Sequence, residues 1–259
     1  MKKLLKDQFA KYIPLPENNY ELDLSAEYHD YFKEKSYFQK ICQNLSLEQL
    51  FTMFKTDKAQ IYYRVVYSHR QKRFVRSIVE GHNYGGTYEK IFQKNRKNIK
   101  KIIEIGSLEG GSTAAFHFYF LNAKIHCLDI SFDRNKIVSR RITKHYVDQS
   151  DEEQLKSFIN KKFIKNDLDI VIDDGSHKAN DILITFKNLF PKIKKNGWYV
   201  IEDLSKSWNK DVLKFLNNKK NTILPKNVNN KIGRIFSKRS EKSWSKNNKQ
   251  NYVYFIQKK

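Results

Sequence analysis

The sequence predicts an α/β fold: a Rossmann-like, doubly wound and mostly parallel sheet with a C-terminal antiparallel strand pair and a helical N-terminal extension. Three observations carry this expectation. From Lys101 onward, short apolar runs alternate with helical patterns, as sequential strand–helix units require. Most of the runs are short and predominantly apolar, which suits strands covered on both faces. Two of the runs end in acids, IDDGSH and YVIED, at the strand ends where such sheets hold ligands.

The elements follow in order. KIIEIG is a short strand, and GSLEGGSTAAFHFYFL is a glycine turn entering a helix. KIHCLDI is the second strand and RITKHYVDQS the third, followed by the helix DEEQLKSFIN. LDIVIDD is the fourth strand; ANDILITFKNLF is a helix ended by Pro191, and GWYVIED is the fifth strand. After the helix DVLKFLNN, KIGRIF and YVYFIQ are separated by a polar loop and form the expected edge pair. Upstream, Ser46 before LEQLFTMF has the form of an N-cap and an amphipathic helix. A second helical pattern covers Ala59 to Glu80, and GHNYGGTYEKIF is a glycine-rich turn entering a third helix. The Lys/Asn-rich stretch Lys94 to Lys101 marks a seam. It divides residues 1–97, a helical region contributing to acceptor binding, from residues 98–259, a cofactor-binding domain.

Composition narrows the partners. At 259 residues, with 39% hydrophobic and 14% aromatic residues, the chain can bury a substantial core. No apolar run is long enough to span a membrane, and the basic start MKKLLKDQFAKYIPLP lacks the form of a secretory signal. Cys42 and Cys127 are too few for a disulfide framework, so reduced thiols and a cytoplasmic location are expected. The net charge is +22, and from Ser205 onward 15 Lys and Arg face 2 acids, a local +13. Such a segment suits nucleic acid, an anionic membrane surface or a phosphorylated substrate. The lysines are scattered rather than blocked, so a generally Lys/Asn-rich chain is the favoured explanation.

Chemistry concentrates at the strand ends. Asp173 and Asp174 close one strand, with Gly175, Ser176 and His177 in the turn; Glu202 and Asp203 close the next. Neighbouring parallel strands lie about 5 Å apart, so these carboxylates repel unless a cation or proton sits among them. The loop EIGSLEGGS, Glu104 to Ser112, offers glycines for a tight turn and free N–H groups at a helix start. It is not a GxGxxG dinucleotide loop. Glu104 would repel a pyrophosphate and suits a cationic ligand, such as the amino acid moiety of S-adenosylmethionine. Asp129 can accept the two hydroxyls of a ribose or cap the next helix. Asp148 has the same two readings, as an adenine-side contact or a cap.

EIGSLEGGS, CLDI, DQSD, IDDGSH and YVIED, in this order and spacing, resemble class I S-adenosylmethionine-dependent methyltransferases. More narrowly they resemble the macrolide-sugar and aminocoumarin-sugar O-methyltransferases, which pair I-D-D-G-S-H with E-D about 25 residues on. His177 to Glu202 is 25 here. TDK at Thr56 to Lys58 and HNYGGTYE from His82 are similar to that group's upstream elements, although the spacer between them is longer. The resemblance covers Thr56 to Ser207.

It implies a cofactor site of Glu104, Gly106, Ser107, Gly110, Ser112, Asp129, Ile130, Asp148, Gln149 and Asp173. It implies metal ligands at Asp174, Glu202 and Asp203, with Mg²⁺ as the ion, and His177 as general base beside Asp174. A divalent cation would lower the pKa of a bound hydroxyl, and a neutral imidazole near pH 7 could take its proton. His82, Tyr84, Tyr88 and Trp208 are acceptor-side candidates, and Tyr28, His29 and Tyr31 could line the same cleft, though a packing role is the favoured expectation for all of these but Trp208.

The expected activity is O-methylation of a sugar hydroxyl by S-adenosylmethionine. The expected acceptor is a small-molecule sugar, nucleotide-linked, in surface-polysaccharide or natural-product assembly. A homo-oligomer is allowed, and nucleic acid is not expected as a partner. The rivals are an RNA methyltransferase, motivated by the basic tail, and a non-catalytic glycan- or cofactor-binding module.

Overall fold

The structure is a computed structural model that describes residues 22–23, 42–68, 70, 72–205, 210–217, 224–241 and 251–259. Seven strands form one sheet: β4 (Lys101–Ile105), β5 (Lys124–Asp129), β7 (Ile142–Tyr146), β8 (Leu168–Asp173), β9 (Ile193–Ser205), β10 (Ile232–Arg239) and β11 (Asn251–Lys258). Their order is β10-β11-β9-β8-β4-β5-β7, with parallel pairing from β7 to β9 and antiparallel pairing of β9, β11 and β10. A short pair, β1 (Leu22–Asp23) and β6 (Ile137–Val138), runs parallel outside the sheet.

The chain lays down β4, β5 and β7 in one direction, then returns to add β8 and β9 on the other side of β4. The reversal between β4 and β8 is a topological switch point, where the two following loops diverge and leave a crevice. The expected sheet and antiparallel edge pair are both present.

Strand alternation assigns the two faces. Ile102, Ile125, Cys127, Ile170, Ile172 and Val200 enter one core with α1 (Leu47–Met53), α2 (Gly85–Phe92) and α3 (Gly111–Tyr119). Ile103, Leu128, Val171, Tyr199 and Ile201 enter the other with α4 (Glu152–Lys162), α5 (Ala179–Leu189) and α6 (Lys210–Asn217). The short helix α7 (Lys226–Asn229) adds Val228 to this second core. Adjacent residues of β8 therefore serve opposite layers, which is why the whole strand is buried and its centre, Ile170 to Ile172, is apolar on both faces. Cys42 and Cys127 are buried free thiols. No helix among the described residues is long and apolar enough to cross a membrane.

The N-terminal region departs from expectation in one element. α1 starts at Ser46 with the expected cap, a capping box with Gln49. The stretch expected to be a second helix is instead a β-hairpin of β2 (Ile61–Ser68) and β3 (Arg73–Glu80), paired from Ile61↔Glu80 to Ser68↔Arg73. IYYRVVYS and RFVRSIVE are rich in β-branched and aromatic residues, which pack well on a pleated surface and lose rotamer freedom in a helix. A hairpin meets that preference over both runs.

Beyond β2 and β3, backbone N–H groups of Gly81, His82 and Tyr84 donate to the carbonyls of Gln60 (2.8 Å), Asp57 (2.6 Å) and Lys58 (2.8 Å). Gly81 is needed for this closure, since a Cβ there would collide with the Ala59 carbonyl. The hairpin base thus holds the TDK and HNY segments side by side.

Candidate active site

The site forms where the β4 and β8 loops part. Gly106 leaves β4 with φ +78°, and a Cβ there would collide with the Asp174 carbonyl and approach the Gly175 Cα to 2.6 Å. The cofactor-type loop and the acid-tipped turn are therefore in backbone contact. Gly110, at φ 83°, is the N-cap of α3, and a left-handed residue there suits glycine. Ser107 is buried and receives the Asn135 side-chain amide at 3.1 Å. Leu108 and Ile130 are exposed on the rim.

The acids expected along this loop divide by environment. Glu104 is wholly buried and accepts hydrogen bonds from the hydroxyls of Ser112 and Thr113. Burial pushes its carboxyl up. Asp129 accepts the Leu108 N–H at 3.1 Å, so its carboxylate ties the end of β5 to the glycine loop. Asp148 accepts both the Ser150 N–H (2.8 Å) and its hydroxyl (2.7 Å), which hold its carboxyl below the usual range. The cap of the following helix α4 is Asp151, whose side chain accepts the Glu153 and Gln154 N–H groups. Gln149 accepts the Ser176 N–H at 2.6 Å and so fixes the turn after β8.

Asp173 points into the core, where the hydroxyls of Thr185 and Tyr199 donate to it and burial raises its carboxyl. It anchors the strand end rather than facing the crevice.

The second cluster lies at the ends of β8 and β9. His177 and Asp203 both adopt positive φ, 56° and 55°, a conformation that costs of order 1 kcal/mol or more for a non-glycine residue. His177 is 38% exposed and its Nε2 lies 4.0 Å from the Asp174 carboxylate. Asp174, His177 and Asp203 each offer a ligand atom within 4.8 Å of the others. Asp203 accepts the Tyr84 hydroxyl at 2.9 Å and lies 3.3 Å from His82 Nδ1.

Glu202 has a different setting. It is 2% exposed, and its two oxygens accept from the Tyr88 hydroxyl and, at 2.6 Å, from the Lys58 ammonium. Lys58 is itself buried and also bonds Asp174. Burial alone would lower its pKa, but the carboxylates of Asp174, Glu202, Asp57 and Glu104 hold it well above the usual lysine range. An ammonium therefore stands among the carboxylates that the resemblance assigns to a metal ion.

A divalent cation fits the outer part of this cluster. Mg²⁺ is bound through one or two carboxylates and keeps several waters, and the half-buried Asp174 and Asp203 meet that need. Glu202, enclosed by Lys58 and Tyr88, does not.

The residues expected to meet the acceptor are placed as follows. Tyr84 and Tyr88 are fully buried behind the acids, kept protonated by burial and by Asp203 and Glu202 respectively. His82 is buried, its Nδ1 2.8 Å from the Ser240 hydroxyl and its Nε2 3.4 Å from Asp57. These three form the wall of the acid cluster. Trp208, Tyr28, His29 and Tyr31 lie outside the described residues. Sequence reasoning missed Lys58 as a site residue. The only local signal was its place in TDK, next to Asp57.

An open α/β sheet with a glycine loop and acid-tipped turns at its switch point is the architecture of cofactor-binding transferases and dehydrogenases. Residues 103–204 match the model of a family described as a methyltransferase domain. The 8-demethyl-8-alpha-L-rhamnosyl tetracenomycin-C 2'-O-methyltransferase of Streptomyces olivaceus is 32% identical over 134 residues, 49% of this chain and 34% of that protein. Demethylmacrocin O-methyltransferase of Streptomyces fradiae is 34% identical over 124 residues, 45% of this chain and 30% of that one. The matched stretch thus spans about a third of these relatives' length. The MycE methyltransferase of the mycinamycin pathway, solved with Mg and SAH, superposes with a TM-score of 0.58 at 22% identity, over 83% of this chain and 55% of that chain. It shares the fold.

Proposed function

We propose that the chain transfers the methyl group of S-adenosylmethionine to a sugar hydroxyl, with a divalent cation at Asp174 and Asp203 and His177 as general base. The observation that carries this reading is the contact between the Gly106 loop and the Asp174 turn. It sets a cofactor-type crevice directly against an acid–histidine cluster. S-adenosylmethionine would supply a sulfonium methyl as electrophile, and the cation would polarise the acceptor hydroxyl.

The chain's own part is orientation and proton removal. The loop from Gly106 to Ser112 and Asp129 would hold the cofactor. Mg²⁺ prefers oxygen ligands, which leaves the His177 ring to take the hydroxyl proton. The acceptor oxygen then forms the new C–O bond as the C–S bond breaks, and the proton rests on the imidazole. With His82, Tyr84 and Tyr88 buried, the acceptor would meet other parts of the rim.

The hairpin is the element best placed to supply them, because it rises from between Lys58 and His82. Its sequence is rich in aromatic and basic residues: Tyr63, Tyr67 and Phe74, with Arg64, Arg70, Lys72, Arg73 and Arg76. Aromatic rings suit sugar faces, and guanidinium groups suit phosphates. That composition supports a sugar bearing an anionic group, such as a nucleotide-linked sugar, and a bacterial surface-glycan or natural-product setting.

The test is methyl transfer from labelled S-adenosylmethionine to three acceptor sets: nucleotide sugars, neutral glycosylated natural products and RNA. Label in a nucleotide sugar, suppressed by EDTA, is expected. Label in RNA alone would replace the sugar reading. Cofactor binding with no transfer to any set would favour a binding module.

A further inference from the structure

The buried lysine within the acid cluster carries a consequence beyond the proposed activity, on which it builds. Lys58 and Glu202 are each about 2% exposed, and the Nζ–Oε2 separation is 2.6 Å. The other Glu202 oxygen is taken by Tyr88. Each Glu202 oxygen already accepts one hydrogen bond, and the carboxylate is enclosed by Lys58 and Tyr88, so little of it faces an ion on the open side. Asp174 differs: one oxygen takes Lys58, and the other faces His177.

We propose that Lys58 is the resident cation of this cluster: it serves as the counter-charge of Glu202 and restricts divalent metal binding to Asp174 and Asp203. Glu202 is then an internal ion-pair partner rather than a metal ligand. Lys58 and the metal share Asp174 from opposite sides. Two cations across one carboxylate repel, so Lys58 keeps the metal site weaker than three acids alone would make it. A weakly held ion exchanges readily, which suits a site that must admit and release its acceptor.

The charge and positioning roles of Lys58 predict opposite signs. A buried unit charge one carboxylate away from a second cation repels it far more than it would in water. Removing it should tighten the metal, whereas loss of a merely positioning group should loosen it, by about 10–100-fold for outer contacts.

The experiment is Mn²⁺ titration of the full chain followed by electron paramagnetic resonance, with no cofactor or acceptor present. We expect Lys58→Met to bind Mn²⁺ at least about tenfold more tightly than the parent protein. The double variant K58M/E202Q keeps the net charge and removes the pair together, so its affinity should stay within about threefold of the parent. Asp203→Asn should lose at least about tenfold. Tenfold weaker binding in the double variant would make Glu202 a ligand and overturn the proposal. So would unchanged or weaker binding in Lys58→Met, or no Mn²⁺ binding by the parent protein. If Lys58→Met does not fold, the double variant decides, since a neutral pair of similar volume is tolerated in place of a buried ion pair. None of these readouts involves methyl transfer, so that activity stands or falls separately on the acceptor assay.

Discussion

Gly106 and Asp174 meet at the switch point of the sheet, so closely that no side chain fits between them. Gly106→Ala would combine that collision with an unfavourable φ of +78°, and an expected destabilisation of about 2–4 kcal/mol follows. Urea unfolding measures it, and S-adenosylhomocysteine binding should fall in parallel. Gly86 is the contrast. It lies within α2 with open space around its Cα, so Gly86→Ala should stabilise by about 0.5–1 kcal/mol.

Tyr88 is a second lever on the same cluster. Its hydroxyl donates to an enclosed Glu202 oxygen, and Tyr88→Phe would leave that oxygen without a partner. The expected cost is about 1–3 kcal/mol in chemical denaturation. An unchanged midpoint would place water at the carboxylate.

The edge of the sheet carries a pH dependence. His126 Nδ1 and His145 Nε2 lie 3.0 Å apart on β5 and β7. Burial, the facing His145 and the nearby Lys101, Lys124 and Lys162 lower the pKa of His126 from 6.5 to about 4. A depressed histidine pKa means that the unfolded chain takes up the proton first. Stability is therefore complete above about pH 6.5 and declines as pH falls towards 4, apart from the contribution of acids elsewhere. His126→Gln should flatten the urea midpoint against pH over that window. An unaltered slope would assign it to other groups.

The sheet was legible because each of its strands is a short run of β-branched residues bounded by a turn, from KIIEIG to GWYVIED. The acids at the ends of β8 and β9 were legible for the same reason, since a parallel crossover puts both on one edge. Two features escaped. The hairpin was taken for a helix, although Ile61, Tyr63, Val65 and Tyr67 alternate with a strand period. The burial of Lys58 had no local signature, because its partners Asp174 and Glu202 are 116 and 144 positions away. Which of the two readings of Tyr84 and Tyr88, packing or acceptor-side, their hydroxyls serve was hidden for a related reason. Only the folded chain shows that their hydroxyls are spent on Asp203 and Glu202.

The hairpin supplies a test of acceptor recognition. Residues 62–79 can be replaced by a short Gly-Ser linker between Ile61 and Glu80, which are register partners. The expected outcome is an acceptor KM raised at least about tenfold with S-adenosylhomocysteine affinity within threefold, since only the acceptor side loses contacts. Equal loss of both would make the hairpin a structural brace.

The most direct test of the whole account is steady-state methyl transfer by His177→Ala. A positioned general base contributes about 10²–10⁴ in rate. The account predicts a fall of that size in kcat, with S-adenosylhomocysteine affinity unchanged in calorimetry. Turnover at the rate of the unaltered protein would contradict it.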